Sequence, residues 1–127
     1  MKKETKDIFT NYYKLQTELS IEQQRVEGLI EFKNNLDGQS SEELIKNLCE
    51  DIQHLQDNIS VIKAKLEKDK PFVVNKINLL TDVISKTAAS LHYLSGFQWG
   101  EIAEIMKICT SEALRSRVYR CMRTADI

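Results

Sequence analysis

Residues 97–123 read FQWGEIAEIMKICTSEALRSRVYRCMR and carry the strongest indication of how the chain folds. Their spacing predicts a short helix whose apolar face is formed by Phe97, Ile102, Ala103, Ile105 and Met106. Residues 107–109 make a short connection, after which Thr110 or Ser111 is suited to cap a second helix. Two short helices joined by a turn of about three or four residues are the plan of a helix-turn-helix.

The second helix of this stretch has an apolar side and a basic side. The apolar side is formed by Leu114, Val118, Cys121 and Met122. Ala103 is small enough for the first helix to approach the second closely, and Ile108 is expected to anchor the turn in the core. Residues 112–123 contain four arginines and one acidic residue, a formal charge of +3 in a chain whose net charge is −1. That concentration is typical of a surface that meets nucleic-acid phosphates.

The residues expected to contact double-stranded DNA lie on and beside the second helix. Base edges in the major groove are expected to meet Ser111, Arg115, Ser116 and Tyr119, because an arginine can form a bidentate contact with guanine there. Phosphates are expected to be held by Lys107, Arg117, Arg120 and Arg123. One such module buries little surface, so we expect a homodimer that contacts two half-sites.

The stretch from Leu91 to Met122 carries motifs known from other proteins. An aromatic and leucine-rich helix precedes a glycine, a W-x-E-I-A motif and an S-R-x-x-R motif. The matching residues are Tyr93, Leu94, Gly96, Trp99, Glu101, Ile102, Ala103, Ile108, Ser116, Arg117, Tyr119 and Arg120. This stretch resembles sigma-factor region four and the phage late-gene regulators of the ArpU type, although Lys107 stands where a glycine often makes the turn. The resemblance implies a phage or mobile-element transcription regulator that acts on promoter DNA, with RNA polymerase as a further partner.

A heptad seam dominates the sequence between residues 42 and 66. Apolar residues recur there at alternating steps of three and four, at Ile45, Leu48, Ile52, Leu55, Ile59, Ile62 and Leu66. This spacing predicts a helix packed along a coiled-coil line. A looser seam runs from Ile8 to Leu36. Asp37 with Gly38 is suited to ending that first helix, and Ser40 with Glu43 forms a capping box for the next.

The short connection predicts that residues 1–69 fold as an acidic antiparallel helical hairpin for interaction or oligomerisation. Four apolar residues lie outside the two seams, namely Ile21, Ile30, Phe32 and Leu44. Either the C-terminal half of the chain or a second subunit is expected to cover them. The seam itself is read as intramolecular core in preference to a dimer interface made by this segment alone.

Pro71 predicts the end of the second helix and the start of a third, because proline lacks a backbone N–H donor and disfavours helical geometry in the residue before it. Apolar spacing from Val74 to Leu94 then predicts one long connecting helix, which Gly96 ends. Residues 1–70 carry 11 basic and 14 acidic side chains, and residues 71–127 carry 7 and 5. The chain is therefore expected to be all-α, with residues 70–127 forming a DNA-binding module that ends in the helix-turn-helix.

Several classes of function lack their sequence signals. No glycine-rich phosphate loop occurs, and His54 and His92, expected at the surface or its boundary, are in no zinc-ligand spacing. We expect no catalytic residues, no metal and no cofactor, and hence no enzyme. Three cysteines without a CxxC pair and no apolar run of membrane length favour a soluble cytoplasmic protein that contacts no membrane.

Two functions remain after these exclusions. The first is the sequence-specific DNA-binding transcription regulator described above. The second is a helical interaction protein whose acidic hairpin binds a host or phage protein, with the helix-turn-helix serving as scaffold. Salt dependence of DNA binding separates the two, because each phosphate contact contributes a slope of about −0.9 in log K against log salt.

Overall fold

The computed structural model describes residues 1–36, 38 and 41–127, and every regular element among them is helical. The α-helices are α1 (Lys3–Asn34), α2 (Glu42–Asn78), α3 (Val83–Ala89), α4 (Trp99–Met106) and α5 (Ser111–Thr124). A short π-helical segment, Ser90–Leu94, follows α3 directly. The predicted all-α class is confirmed. Within this described part, no helix has an apolar stretch that could span a bilayer.

The apolar seams predicted in α1 and α2 face inward. In α2 the buried seam residues are Leu48, Ile52, Leu55, Ile62 and Leu66, and in α1 they are Tyr12, Leu15 and Val26. Burial of one apolar stripe stabilises helices of this length more than intrinsic propensity does. The predicted helix stop at Asp37 and the predicted cap at Ser40 lie outside the described residues.

The chain forms two compact units, and each long helix contributes residues to both. The basic unit comprises residues 1–16 and 66–127 and has a formal charge of +4. The acidic unit comprises residues 17–65 and has a formal charge of −5. This grouping differs from the predicted division between residues 69 and 70, because the first turns of α1 pack with the C-terminal helices.

Within the acidic unit, residues from α1 and α2 line one shared cleft. Its lining residues are Arg25, Gly28 and Leu29 of α1 and Asp51, His54 and Leu55 of α2. An antiparallel hairpin requires that α1 and α2 lie beside each other in this way, although the hairpin assignment stays a prediction. The four apolar residues that were expected to need covering remain 37–54% exposed in this chain, and Val61 is 54% exposed.

The core of the basic unit joins the start of α1 to the C-terminal helices. Phe9 is fully buried, and its ring centroid lies 4.8 Å from that of Tyr93. The Gln16 side-chain amide donates hydrogen bonds to the carbonyl oxygens of Tyr93 and Leu94, at 2.8 and 2.9 Å. These bonds satisfy carbonyl groups at the end of the π-helical segment that have no partner within it.

The prediction that Pro71 ends a helix is wrong, because α2 continues through it to Asn78. A proline inside a helix costs about 3 kcal/mol, since it removes one hydrogen bond and crowds the preceding turn. Val73 and Ile77 follow Pro71 in the same helix and are 0% and 1% exposed. Full burial of an aliphatic side chain contributes about 1.5–3 kcal/mol, so these two residues outweigh the proline.

The single long helix predicted from Val74 to Leu94 is also wrong, because residues 79–82 interrupt it. The Leu80 N–H donates to the Ile77 carbonyl oxygen at 3.0 Å, which tightens the last turn of α2. Asp82 then caps α3, since its carboxylate accepts hydrogen bonds from the Ser85 N–H at 3.3 Å and the Ser85 hydroxyl at 2.6 Å. The apolar pattern does not reveal this break, because buried side chains recur at helical spacing both before and after residues 79–82.

Candidate nucleic-acid interface

Residues 107–110 connect α4 to α5 and are held by hydrogen bonds at both ends. Lys107 adopts the left-handed conformation with φ 53°, and its N–H donates to the Ala103 carbonyl oxygen at 2.9 Å. Glycine is the usual residue in this position at the end of a helix. Thr110 caps α5 by accepting a hydrogen bond from the Ala113 N–H at 3.2 Å. The two helices and their short connection are confirmed, whereas the helix-turn-helix assignment stays a prediction.

The apolar side of α5 fixes the helix on the protein. Leu114, Val118 and Met122 are each 0% exposed, and α5 packs against α3 and α4. Ile108 is 52% exposed, so the prediction that it anchors the turn in the core is wrong. The turn is secured instead by the hydrogen bonds at Lys107 and Thr110. Ile105, predicted on the apolar face of α4, is 63% exposed.

The remaining sides of α5 present most of the predicted DNA-contacting residues. The exposed ones are Lys107, Arg115, Ser116, Arg120 and Arg123, and the half-buried ones are Ser111, Arg117 and Tyr119. Among the described residues, no ion pair involves Arg115, Arg120 or Arg123. Their guanidinium groups therefore remain available to an anionic partner.

Arg117 differs from the other arginines of α5, because it forms a bidentate ion pair with Asp82. Its Nε and Nη2 donate to the two carboxylate oxygens at 2.8 and 3.0 Å. The hydrogen bonds from Arg117 lower the pKa of Asp82 to about 2, and the bond from Ser85 acts in the same direction. The pair links α5 to the cap of α3. A phosphate contact by Arg117 stays a prediction.

Arg115 and Tyr119 support each other along one side of α5. The Arg115 Nε donates to the Tyr119 hydroxyl oxygen at 3.3 Å, and the guanidinium carbon lies 5.3 Å from the Tyr119 ring centroid. Tyr93 lines the same cleft as Arg115 and Tyr119, and its burial raises its pKa. Tyr93 is therefore neutral at physiological pH.

His92 is 7% exposed, so the prediction that it lies at the surface or its boundary is wrong. Its ring is stacked between Tyr13 and Trp99, at centroid distances of 4.2 and 4.1 Å. Nδ1 lies 2.7 Å from the Phe97 carbonyl oxygen, and it must donate because a carbonyl only accepts. Burial lowers the pKa of His92. The neutral ring therefore supports Trp99 at the first turn of α4.

Two clefts beside α5 bring together residues whose proximity the sequence did not predict. On one side, Lys6 and Thr10 of α1 line a cleft with Tyr93, Arg115, Tyr119 and Arg123. On the other side, Thr81 and Asp82 line a second cleft with Arg117, Arg120 and Thr124. Most of these pairs are distant in sequence, so no local pattern could have predicted either neighbourhood.

No family model, curated protein or solved structure matches the chain. Within the described ranges, no group of three or more His, Cys, Asp or Glu side chains could hold a metal ion.

Proposed function

We propose that this chain is a sequence-specific DNA-binding transcription regulator that contacts promoter DNA through α5. One observation carries the proposal. α5 is fixed from behind by three fully buried apolar residues, while Arg115, Arg120 and Arg123 make no ion pair within the described residues. A cationic helix held in this way can enter the major groove without rearrangement of the core.

The distribution of charge between the two units supports the same function. The basic unit, which contains α5, has a formal charge of +4, whereas the acidic unit has −5. Phosphates attract the first unit and repel the second. DNA contact is therefore restricted to the basic unit, and the acidic unit is left for other partners.

The residues of α5 divide into two roles in this proposal. Ser111, Arg115, Ser116 and Tyr119 meet base edges, and Lys107, Arg120 and Arg123 hold phosphates. Arg117 contributes less to DNA binding than Arg120, because its guanidinium is engaged by Asp82. A second copy of the chain supplies the additional DNA-contacting surface that one module lacks. The proposal of RNA polymerase as a further partner rests on the sequence resemblance.

Selection of bound fragments from the source genome, followed by salt titration on a selected duplex, tests the proposal. Arg120→Gln should weaken binding to all fragments alike and make the slope of log K against log salt shallower by about 0.9. Arg115→Ala should instead reduce discrimination between fragments by about 1–3 kcal/mol. Lys63→Gln removes one positive charge from an exposed residue of the acidic unit and serves as the matched control. No retention of any fragment at low salt would contradict the proposal.

One observation favours the helical interaction protein as a second candidate. Ile21, Phe32 and Val61 of the acidic unit are each more than half exposed, between 53% and 54%. A contiguous patch of such residues would be typical of a protein-binding site. If this function stands alone, Phe32→Ser should abolish capture of a specific protein partner while the wild-type chain binds no genomic fragment.

A further inference from the structure

The cleft between the start of α1 and α5 contains an excess of positive charge. Its volume is about 260 Å³, and its charged side chains are Lys6, Arg115 and Arg123. No carboxylate is among its lining residues in the part of the chain that the structure describes. α1 and α5 thus bring three cationic side chains into one cleft, although Lys6 is more than a hundred residues from the two arginines in sequence. The mutual repulsion of these side chains is unfavourable unless an anion is bound.

The hydrogen-bonding groups of this cleft are partly fixed before any ligand arrives. The Arg115 Nε is engaged by the Tyr119 hydroxyl, which orients the guanidinium, and its terminal Nη groups form no ion pair among the described residues. Tyr119 lines the cleft together with the buried Tyr93. A guanidinium held in this way can donate two parallel hydrogen bonds to one oxyanion. Thr10 adds a hydroxyl donor to the same cleft.

We propose that this cleft binds a phosphate group, held by Arg115, Lys6 and Arg123 with the Thr10 hydroxyl as a further donor. One arginine fork can satisfy a carboxylate, whereas three cations match the higher charge and additional oxygens of a phosphate. The volume is many times the roughly 10–15 Å³ that holds one water molecule, which leaves room for the phosphate and the atoms attached to it. Arg115 then contacts the phosphate in place of a base edge, so one guanidinium cannot fill this role and its base-contacting role at the same time.

The phosphate has two possible sources, a nucleic-acid backbone and a free phosphorylated compound. Calorimetric titration of the full chain with inorganic pyrophosphate, in low salt and without phosphate buffer, tests the free form. Lys6→Gln should weaken pyrophosphate binding by about fivefold or more, and backbone amide resonances of Thr10 and Tyr119 should shift on binding to the wild-type chain. Lys14→Gln, which removes an exposed lysine of the same helix outside the cleft, should leave the affinity unchanged.

A second arm measures a duplex selected by the wild-type chain. If Lys6→Gln makes its salt slope shallower by about 0.9, the cleft binds the DNA backbone. If pyrophosphate binding depends on Lys6 but the duplex slope does not change, the cleft binds a free phosphorylated compound. If Lys6→Gln changes neither measurement relative to Lys14→Gln, the phosphate site is refuted, while duplex binding through α5 stands or falls by its own assay.

Discussion

Replacement of Gly96 by alanine should destabilise the basic unit by about 2 kcal/mol. Gly96 has φ +78°, and a left-handed conformation costs a residue with a Cβ about 1–2 kcal/mol. The new Cβ would also lie 3.1 Å from the Oε1 of Gln16. Gln16 cannot move freely, because its amide nitrogen is bonded to two carbonyl oxygens, and loss of one such bond costs about 1 kcal/mol. The lower conformational entropy of the unfolded alanine variant offsets only about 0.4–1 kcal/mol of this destabilisation.

Urea unfolding followed by the fluorescence of Trp99 measures this loss. Trp99 is the one tryptophan in the sequence and belongs to the basic unit, so its signal reports that unit. Gly28→Ala is the matched control, since Gly28 lies inside α1 with nothing within 4 Å of the added Cβ. That change should stabilise the helix by about 1 kcal/mol, and circular dichroism detects it.

A double-mutant cycle separates backbone strain from the contact with Gln16. In a Gln16→Ala background, Gly96→Ala should cost about 1 kcal/mol less than in the wild-type chain, because the contacted oxygen is absent. An unchanged or higher urea midpoint for Gly96→Ala would show that the left-handed turn is not required. A cost that is equal in both backgrounds would refute the steric part of the explanation.

Three further outcomes are expected. Lys107→Gly should raise the free energy of unfolding by about 1 kcal/mol in the Trp99 assay, because Lys107 holds φ 53°, and a loss of stability would contradict this. The free energy of unfolding should fall as the pH drops through about 6.5, because burial lowers the pKa of His92 in the folded chain, so that the unfolded chain takes up the proton at a higher pH than the folded one. His92→Asn should flatten this pH dependence, which urea titrations at successive pH values measure. A fragment of residues 70–127 should show no cooperative unfolding by circular dichroism, because it lacks Phe9, which is 0% exposed in the whole chain.

Local signals in the sequence predicted the elements that depend on neighbouring residues. The heptad seam from Ile45 to Leu66 predicted the buried stripe of α2, because its regular spacing extends over several turns. Thr110 was predicted as one of two caps for α5, and its hydroxyl makes the capping bond. Leu114 and Val118 were predicted on the buried side of that helix, where both are 0% exposed. Periodicity and capping chemistry are sufficient in such cases.

Long-range contacts explain why the other predictions failed or could not be made. Pro71 stays within α2 because Val73 and Ile77 are buried by the tertiary fold. His92 is buried because Tyr13, distant in sequence, stacks on its ring. The grouping of Lys6 with the arginines of α5 similarly depends on how α1 packs in the basic unit. No window of sequence contains both members of these pairs, so spacing within a window cannot predict them.

The packing of residues 1–16 with residues 66–127 also affects the timing of folding during synthesis. Phe9 leaves the ribosome long before Tyr93, its ring partner, has been translated. At about 5–20 residues per second, the nascent chain exposes this aromatic residue for roughly ten seconds, during which chaperones can bind it. A polypeptide that terminates early cannot complete the basic unit. Incomplete translation products should therefore lack the folded basic unit and be degraded.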